Sequence, residues 1–291
     1  MTDLRGADAA LEQALAHLDR NEAPQAEQIV SRLLAVVPED PQALQLMGVV
    51  HGMQGRFDEA ENFYRRSLAV DPAQPHVHRN LGNLLKNRRR FDESIREQRE
   101  AIRLKPNYVE AHLDLALALS GKGDHEAALK SCRDALRIQP NYLFAKQTLA
   151  AELSALERPK EAEQLLRQTL SLDVRNPRQV AALEHNLAIA LKQQQRYPES
   201  LALFDAARAK VPEMPTVDYN RGNTLQHLGR LEEAADSYRR ALARNPLDMA
   251  AHEELNQLLY RLGDDESFLK SYDEVALLYP DIGELALHKG N

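Results

Sequence analysis

A proline returns every thirty-four residues along most of this chain. The positions that keep this step in two runs are Pro38, Pro72, Pro106 and Pro140, and then Pro212, Pro246 and Pro280. Proline has no backbone N–H and cannot continue a helix, so each one marks the end of a helical segment at the same point of a repeated unit. A fixed period of this length predicts an array of small units stacked on their neighbours, which has no conventional domain boundaries.

Whole segments return with the prolines. The segment "GRFDEAENFYRRSLAVDP", which ends at Pro72, is followed by "RRFDESIREQREAIRLKP", "GDHEAALKSCRDALRIQP" and "GRLEEAADSYRRALARNP", which end at Pro106, Pro140 and Pro246. Eight repeats follow from this alignment: 7–40, 41–74, 75–108, 109–142, 143–176, 181–214, 215–248 and 249–282. A position within a repeat is called its place, and place one is the first residue of that repeat.

Each repeat predicts two helices. Apolar residues recur at spacings of three and four, and a turn in the middle, often containing glycine, separates the two helical patterns. Small residues occupy place eight of the first helix, namely Ala14, Gly48, Gly82, Ala116, Ala150, Ala188 and Gly222. They also occupy place twenty of the second helix, namely Ala26, Ala60, Ser94, Ala128, Ala162, Ser200 and Ala234. Small side chains at these places let the paired helices approach closely.

The period, the two small places and the final proline together resemble the tetratricopeptide repeat, over residues 7–282. The resemblance implies an all-α fold, a right-handed superhelical α-solenoid of antiparallel helix pairs. It also implies that the first helices line a concave groove, and that the array binds proteins and catalyses no reaction.

The regular pattern is interrupted once and is incomplete at its end. Four extra residues, 177–180, separate repeats one to five (7–176) from repeats six to eight (181–282). Asn176 is the expected N-cap of a first helix lengthened by one turn, and 174–180 is the candidate for a bend. Residues 1–6 form a leader. Residues 283–291 fit either the partial first helix of a ninth repeat, in a fragment of a longer protein, or a short natural cap.

Composition excludes several classes of protein. No run approaches eighteen apolar residues, so no membrane span is expected, and the first residues do not form a signal peptide. A net charge of −7 and a pI near 5.8 disfavour a dedicated nucleic-acid binder. The single cysteine, Cys132, has no disulfide partner in the chain, which favours the cytoplasm, and it falls at a core place.

The sequence offers no cofactor or metal site. There is no phosphate-binding glycine loop, no H-E-x-x-H motif and no paired-cysteine signature. His78, His112 and His252 share one place in different repeats, where helix packing keeps them roughly 10 Å apart, too far to share a metal ion. We therefore expect these histidines to be structural.

Candidate binding residues follow from the first-helix places that face the expected groove. They are Arg79, Asn80, Asn83, Lys86, Asn87, Asn186, Lys192, Tyr219, Asn220, Asn223 and Gln226. A carboxamide can both donate to and accept from a peptide backbone. Asn80, Asn186 and Asn220 are similar to the asparagine ladder of tetratricopeptide arrays in O-linked sugar-transferring enzymes. Leu46, Asp114, Thr148 and Glu254 interrupt that ladder.

A second binding mode of the family captures the C-terminal carboxylate of heat-shock chaperones. Arg79 and Asn83 fit its beginning, but Asp114 in the next repeat would repel a carboxylate. We therefore do not expect this mode.

Charge is unevenly distributed along the chain. Repeat three carries nine basic residues against four acidic ones, whereas 249–291 carries three against nine. A basic patch beside the asparagines favours an acidic peptide ligand. The two opposed patches also suggest a homo-oligomer formed head to tail through the ends of the array.

Three functions remain open from the sequence. The first is a protein-binding scaffold that holds a peptide or partner segment in its groove. The second is the substrate-recruiting region of a larger enzyme (a glycosyltransferase, a sulfotransferase or a 2-oxoglutarate/iron oxygenase) whose catalytic domain follows residue 291. The third is a self-association module. The chain itself is expected to catalyse nothing.

Overall fold

A computed structural model describes residues 4–264 of the 291-residue chain. Within this range every regular element is an α-helix. The first helices of the repeats are α1 (Leu4–Asp19), α3 (Pro41–Met53), α5 (Pro75–Asn87), α7 (Val109–Lys122), α9 (Leu143–Ala155), α11 (Pro177–Gln193), α13 (Pro215–His227) and α15 (Met249–Leu262). The second helices are α2 (Ala23–Val36), α4 (Phe57–Val70), α6 (Phe91–Leu104), α8 (His125–Ile138), α10 (Pro159–Leu170), α12 (Tyr197–Lys210) and α14 (Leu231–Arg244).

The predicted class, an all-α solenoid of antiparallel helix pairs, is confirmed. First and second helices of one repeat pack together, as α5 and α6 do, and a second helix packs on the next first helix, as α6 does on α7. Among the helices described, none is long and apolar enough to cross a membrane. Helix α1 begins inside the expected leader 1–6, while the expected partial repeat or cap at 283–291 lies outside the described residues.

The turn between the paired helices is built the same way in all eight repeats. Place fifteen has a positive φ each time, near +70 to +90° at the glycines Gly55, Gly123, Gly229 and Gly263, and near +60° at Asn21, Arg89, Glu157 and Gln195. Glycine adopts this left-handed conformation without steric cost, whereas other residues lose about 1–2 kcal/mol there. Four repeats therefore keep the turn geometry without the residue that favours it.

The interruption between repeats five and six extends a helix. The side chain of Asn176 accepts a hydrogen bond from the backbone N–H of Arg178 at 2.9 Å, and Pro177 opens α11. Helix α11 has 17 residues, whereas α3, α5 and α13 have 13 each. The predicted cap and added turn are confirmed, and the bend at 174–180 remains a prediction.

Contacts divide the chain into two compact units. The N-terminal unit comprises 1–152 and the C-terminal unit 153–291, with the division inside α9. The core of the N-terminal unit includes Val30, Met47 and Val50 packed between α1, α2 and α3. Phe204 and Tyr238 are the largest fully buried side chains of the C-terminal unit.

Close approach of the paired helices depends on place eight and place twenty-four. At Gly48, Gly82 and Gly222 an added Cβ would come within 2.5–2.7 Å of the side chains of Tyr64, Gln98 and Tyr238 respectively. Where place eight is alanine, place twenty-four carries other side chains, such as Cys132 in repeat four. Cys132 is fully buried, and burial raises the pKa of its thiol to about 12, which confirms the predicted inert core position.

Helix α3 supplies a matched pair of glycines that tests this packing. We expect Gly48→Ala to lower the free energy of unfolding by about 1–3 kcal/mol, because the ring of Tyr64 is buried and cannot retreat. Gly52→Ala meets no atom within 4 Å and should raise the free energy of unfolding by about 0.5–1 kcal/mol through helix propensity. Urea unfolding followed by circular dichroism measures both. Equal effects of the two substitutions would contradict the packing argument.

Candidate functional site

Successive first helices meet through a recurring pair of polar places. Place twelve of one first helix lies against place six of the next. The three pairs are Lys86 with Asp114 (Nζ to Oδ1, 3.9 Å), Lys192 with Asn220 (Nζ to Oδ1, 3.1 Å) and Gln226 with Glu254 (Nε2 to Oε2, 3.3 Å). Within each compact unit the first helices thus present a face, called here the first-helix face of that unit, and the sequence-predicted candidates lie at places on these faces.

In the N-terminal unit this face is organised around one carboxylate. Asp114 is 8% exposed, and its Oδ2 accepts from Arg79 Nε at 2.6 Å and from Asn83 Nδ2 at 2.8 Å. Lys86 is the third donor group directed at the same carboxylate. Three of the sequence-predicted site residues are therefore engaged by Asp114, which interrupts the predicted ladder and offsets part of the positive charge of Arg79 and Lys86.

Two carboxamides of the N-terminal unit are uncommitted. Asn80 is half-buried and Asn87 is exposed, and within the described part of the chain neither side chain makes an intramolecular hydrogen bond. Asn83 differs, since its Oδ1 lies 3.4 Å from Gln98 Nε2 and its amide is held by Asp114. Asn80 and Asn87 can therefore still bond to a peptide backbone.

In the C-terminal unit the equivalent cluster lacks the carboxylate. Asn220 Oδ1 accepts from Lys192, and Asn220 Nδ2 donates to the carbonyl of Thr216 at 2.9 Å and lies 3.3 Å from His185 Nε2. Burial lowers the pKa of His185, which keeps its imidazole neutral, and burial also lowers the pKa of Lys192. Asn186 is bonded to His185. The amide of Asn220 is thus fully used within the protein.

Three further candidates lie beside this cluster. Asn223 Nδ2 donates to the Tyr238 hydroxyl at 2.7 Å, and the rings of Tyr219 and Tyr238 lie 5.9 Å apart. Burial raises the pKa of both tyrosines, so both remain neutral donors at physiological pH. Gln226 is engaged by Glu254, whose Oε2 accepts from Gln226 Nε2 at 3.3 Å.

Acidic side chains pair with several basic residues of repeat three, so the net positive charge of this patch is smaller than the sequence alone predicts. Arg88 pairs with Asp58 at 2.6 Å, and Arg90 pairs with Glu61 at 2.8 Å. These acids belong to repeat two, so a count within repeat three misses them. The local positive charge that favoured an acidic ligand is smaller than the sequence suggests.

A cleft on the same face was missed by sequence reasoning. It has a volume of about 440 Å³ and lies between α1, α3 and the start of α5. Leu11, Leu15 and Leu46 give it apolar walls, while Gln42, Gln45 and His76 are among its polar lining. These residues occupy places two, five, six and nine, so extending the first-helix pattern to repeats one and two would have identified them.

The three aligned histidines hold successive repeats together. The Nε2 atoms of His78, His112 and His252 lie 2.9–3.1 Å from the carbonyl oxygens of Pro72, Pro106 and Pro246. The predicted structural role of these histidines is confirmed. Within residues 4–264, no group of three His, Cys, Asp or Glu side chains could hold a metal ion.

Comparison with known proteins gives a consistent result. The sequence model of the tetratricopeptide repeat family matches residues 11–75, 79–142, 148–215, 185–242 and 219–281. A plant protein named TPR repeat-containing thioredoxin TTL4, from Arabidopsis thaliana, is 41% identical over 71 residues. That match covers 24% of this chain and 10% of the plant protein.

Solved structures share the fold at low sequence identity. A tetratricopeptide repeat protein from Parabacteroides merdae has a TM-score of 0.72 and 15% identity, with 88% of this chain and 99% of that chain covered. The APC/C hetero-tetramer Cut9–Hcn1 has a TM-score of 0.69 and 15% identity, with 84% of this chain and 48% of that chain covered. PilF of Pseudomonas aeruginosa has a TM-score of 0.60 and 21% identity, with 72% of this chain and 93% of that chain covered. The chain thus spans about half of the Cut9–Hcn1 match and a tenth of the plant protein.

Asp114 is expected to contribute strongly to stability because it satisfies two donors on the first-helix face. Asp114→Ala should lower the free energy of unfolding by about 1–3 kcal/mol, since Arg79 and Asn83 lose their acceptor in a half-buried site. Glu110→Ala, an exposed carboxylate on the same helix α7, is the control and should change stability by less than about 0.5 kcal/mol. Equal destabilisation in chemical unfolding would contradict this role.

Two buried histidines are expected to titrate in opposite directions. Burial lowers the pKa of His78, but hydrogen bonds from Nδ1 to Glu97 at 2.7 Å and from Nε2 to Pro72 outweigh it and raise that pKa overall. Burial lowers the pKa of His185. An NMR titration should therefore place the midpoint of His78 above the ordinary value near 6.5 and that of His185 below it.

The same directions fix the sign of each contribution to stability. The contribution of His78 to the free energy of unfolding is complete below about pH 6.5 and is lost as pH rises through its folded pKa. The contribution of His185 is complete above about pH 6.5 and is lost as pH falls towards its folded pKa. Glu97→Gln removes the charged acceptor, so it should lower the midpoint of His78 and leave that of His185 unchanged. A reversed order of the two midpoints in the unmodified protein would refute the assignment.

Proposed function

Because the chain belongs to the tetratricopeptide repeat family, we propose that it is a protein-protein interaction scaffold that holds an extended partner segment against its first-helix face. The observation that carries the proposal is the composition of that face. In the N-terminal unit it combines an open cleft with apolar walls and two uncommitted carboxamides, Asn80 and Asn87, whereas Arg79 and Asn83 are engaged by Asp114. Within this proposal the chain catalyses nothing itself and works in the cytoplasm.

The cleft between α1 and α3 supplies the apolar anchor. Leu15 is 47% exposed at the wall of this cleft, at a place that faces the expected groove. Peptide recognition commonly uses an apolar side chain in such a pocket, with nearby polar groups fixing orientation. Gln42 and Gln45 line the cleft, and Gln45 Oε1 lies 3.2 Å from His76 Nε2, so we expect the amide of Gln42 to bond to the backbone of an inserted segment.

The asparagines contribute less than an uninterrupted ladder would. Asn80 and Asn87 remain available to a ligand backbone, but Asn83 is held by Asp114 and Asn220 is held by Lys192 and Thr216. Affinity should therefore come mainly from the apolar cleft and from charged groups. The carboxamides then fix the position of the ligand backbone.

A selection of short random peptides against the intact protein tests this function. Peptides that bind the N-terminal unit should lose about tenfold or more in affinity with Leu15→Asp, because a charge is then placed in the wall of the cleft. Val36→Asp is the matched control, since Val36 is an exposed apolar residue on the second helix α2 and is 62% exposed. Isothermal titration calorimetry measures both variants.

Two outcomes would count against the proposal. One is that the selection yields no peptide that binds the unmodified protein in solution. The other is that Val36→Asp weakens binding as much as Leu15→Asp does, which would place the ligand away from the first-helix face. Circular dichroism of both variants confirms that the substitutions leave the helices intact.

A further inference from the structure

We propose that the second helices α6 and α8 form a docking surface for an acidic helix of a protein partner. This surface is called here the second-helix surface, and it is independent of the proposed function, which concerns first helices. It consists of six basic residues that recur at places twenty-two, twenty-five and twenty-nine of repeats three and four. They are Arg96, Arg99 and Arg103 on α6, and Lys130, Arg133 and Arg137 on α8.

The six cations form two parallel rows. All six side chains are exposed, and α6 and α8 both pack on α7. Within each helix the cations are three and four residues apart, so they lie on one side of it, in a row about 10 Å long. Because both helices carry the pattern at the same places, the two rows lie side by side, roughly one helix-packing distance of 10 Å apart.

In other repeats the arginine at place twenty-five has a counter-ion on the next second helix. Arg65 of repeat two lies 3.4 Å from Glu93, at place nineteen of repeat three. In the C-terminal unit Arg167 and Glu199 occupy the same two places and lie 3.8 Å apart. An arginine at place twenty-five is therefore paired when the following repeat has a glutamate at place nineteen.

Arg99 lacks this counter-ion, because place nineteen of the following repeat is Ala127. Among the residues that the structure describes, four of the six cations form no ion pair, namely Arg96, Arg99, Lys130 and Arg133. The other two pair only with an acid of their own helix, Glu100 at 2.6 Å and Asp134 at 3.1 Å. Exposed pairs of this kind are weak, so the second-helix surface can still bind an external anion.

The chemistry of this surface favours protein carboxylates over lipid or nucleic-acid phosphates. In the described structure neither α6 nor α8 has an exposed large apolar side chain, which a helix at a lipid surface uses for insertion. Neither helix exposes an aromatic ring on which bases could stack. Glu97, Glu100 and Asp134 stand among the six cations, and a backbone with a charge on every nucleotide cannot avoid them. A polypeptide can place its carboxylates only where cations meet them.

A helix supplies carboxylates at the required spacing. Asp or Glu residues three and four apart lie on one side of a helix, with the same rise as the cations of α6 and α8. A partner helix that lies along the two rows therefore meets several cations at once. Five of the six cations are arginines, whose planar guanidinium can bind a carboxylate through two parallel hydrogen bonds.

The first experiment uses two stapled helical peptides of about twenty residues and identical composition. The one-face peptide carries its glutamates at spacings of three and four, whereas the other peptide has them spread around the helix. The one-face peptide should bind the intact protein more tightly, and Arg99→Gln combined with Arg133→Gln should weaken it about fivefold or more. Fluorescence anisotropy measures each affinity, which should fall as salt is raised.

The matched control removes the same charge from a second helix of the C-terminal unit. Arg239 and Arg240 are both exposed on α14. Arg239→Gln combined with Arg240→Gln should leave the affinity for the one-face peptide within about twofold, because α14 lacks the two rows.

A second variant adds the missing counter-ion and removes no cation. Ala127→Glu puts a glutamate at place nineteen, as Glu93 is beside Arg65, and should weaken the one-face peptide by about threefold or more. Leu15→Asp changes the first-helix face and should leave the affinity within about twofold.

Four results would overturn the inference. They are no binding of the one-face peptide, an equal loss with the α14 control, an equal loss with Leu15→Asp, and tighter binding of phosphate groups than of the peptide. The last is tested with single-stranded RNA and with vesicles of equal parts phosphatidylserine and phosphatidylcholine. None of these results decides the selection of random peptides, so the proposed function is judged separately. Circular dichroism of every variant excludes a loss of fold as the cause.

Discussion

The close approach of paired helices at place eight sets the geometry on which the other contacts depend. Gly48, Gly82 and Gly222 let a large side chain from place twenty-four lie directly against the backbone of the first helix. Because this contact recurs, each repeat has nearly the same internal shape, and successive first helices meet at the same pair of places. The first-helix face is therefore a consequence of core packing.

Given that geometry, the residues at places twelve and six can vary without changing the fold. The three observed combinations are Lys with Asp, Lys with Asn, and Gln with Glu. The first is internally neutral, the second leaves a positive charge, and the third leaves a negative one. An array of almost identical repeats can thus carry different charge at each step along one face, and ligand specificity can change while stability is maintained by the core.

The fold could be read from the sequence because it depends on local periodicity. The positions of the helix pairs, the N-cap at Asn176 and the core position of Cys132 all follow from spacing within one repeat. The state of the candidate site residues could not be read in the same way. Asp58 and Glu61 neutralise Arg88 and Arg90 from the neighbouring repeat, and Asp114 does so for Arg79 from the repeat that follows. A charge count within one repeat omits these partners, whereas aligning place twelve with the next place six would have revealed Asp114.

A half-buried lysine without a close counter-ion is unfavourable for the isolated protein, since part of its hydration is lost without compensation. The N-terminal unit shows that the chain can remove this cost, because Asp114 does so at the equivalent place. Substituting aspartate for Asn220 would achieve the same for Lys192, yet the amide is held there by three polar contacts of its own. A neutral amide at this place therefore stabilises the isolated protein less than a carboxylate would.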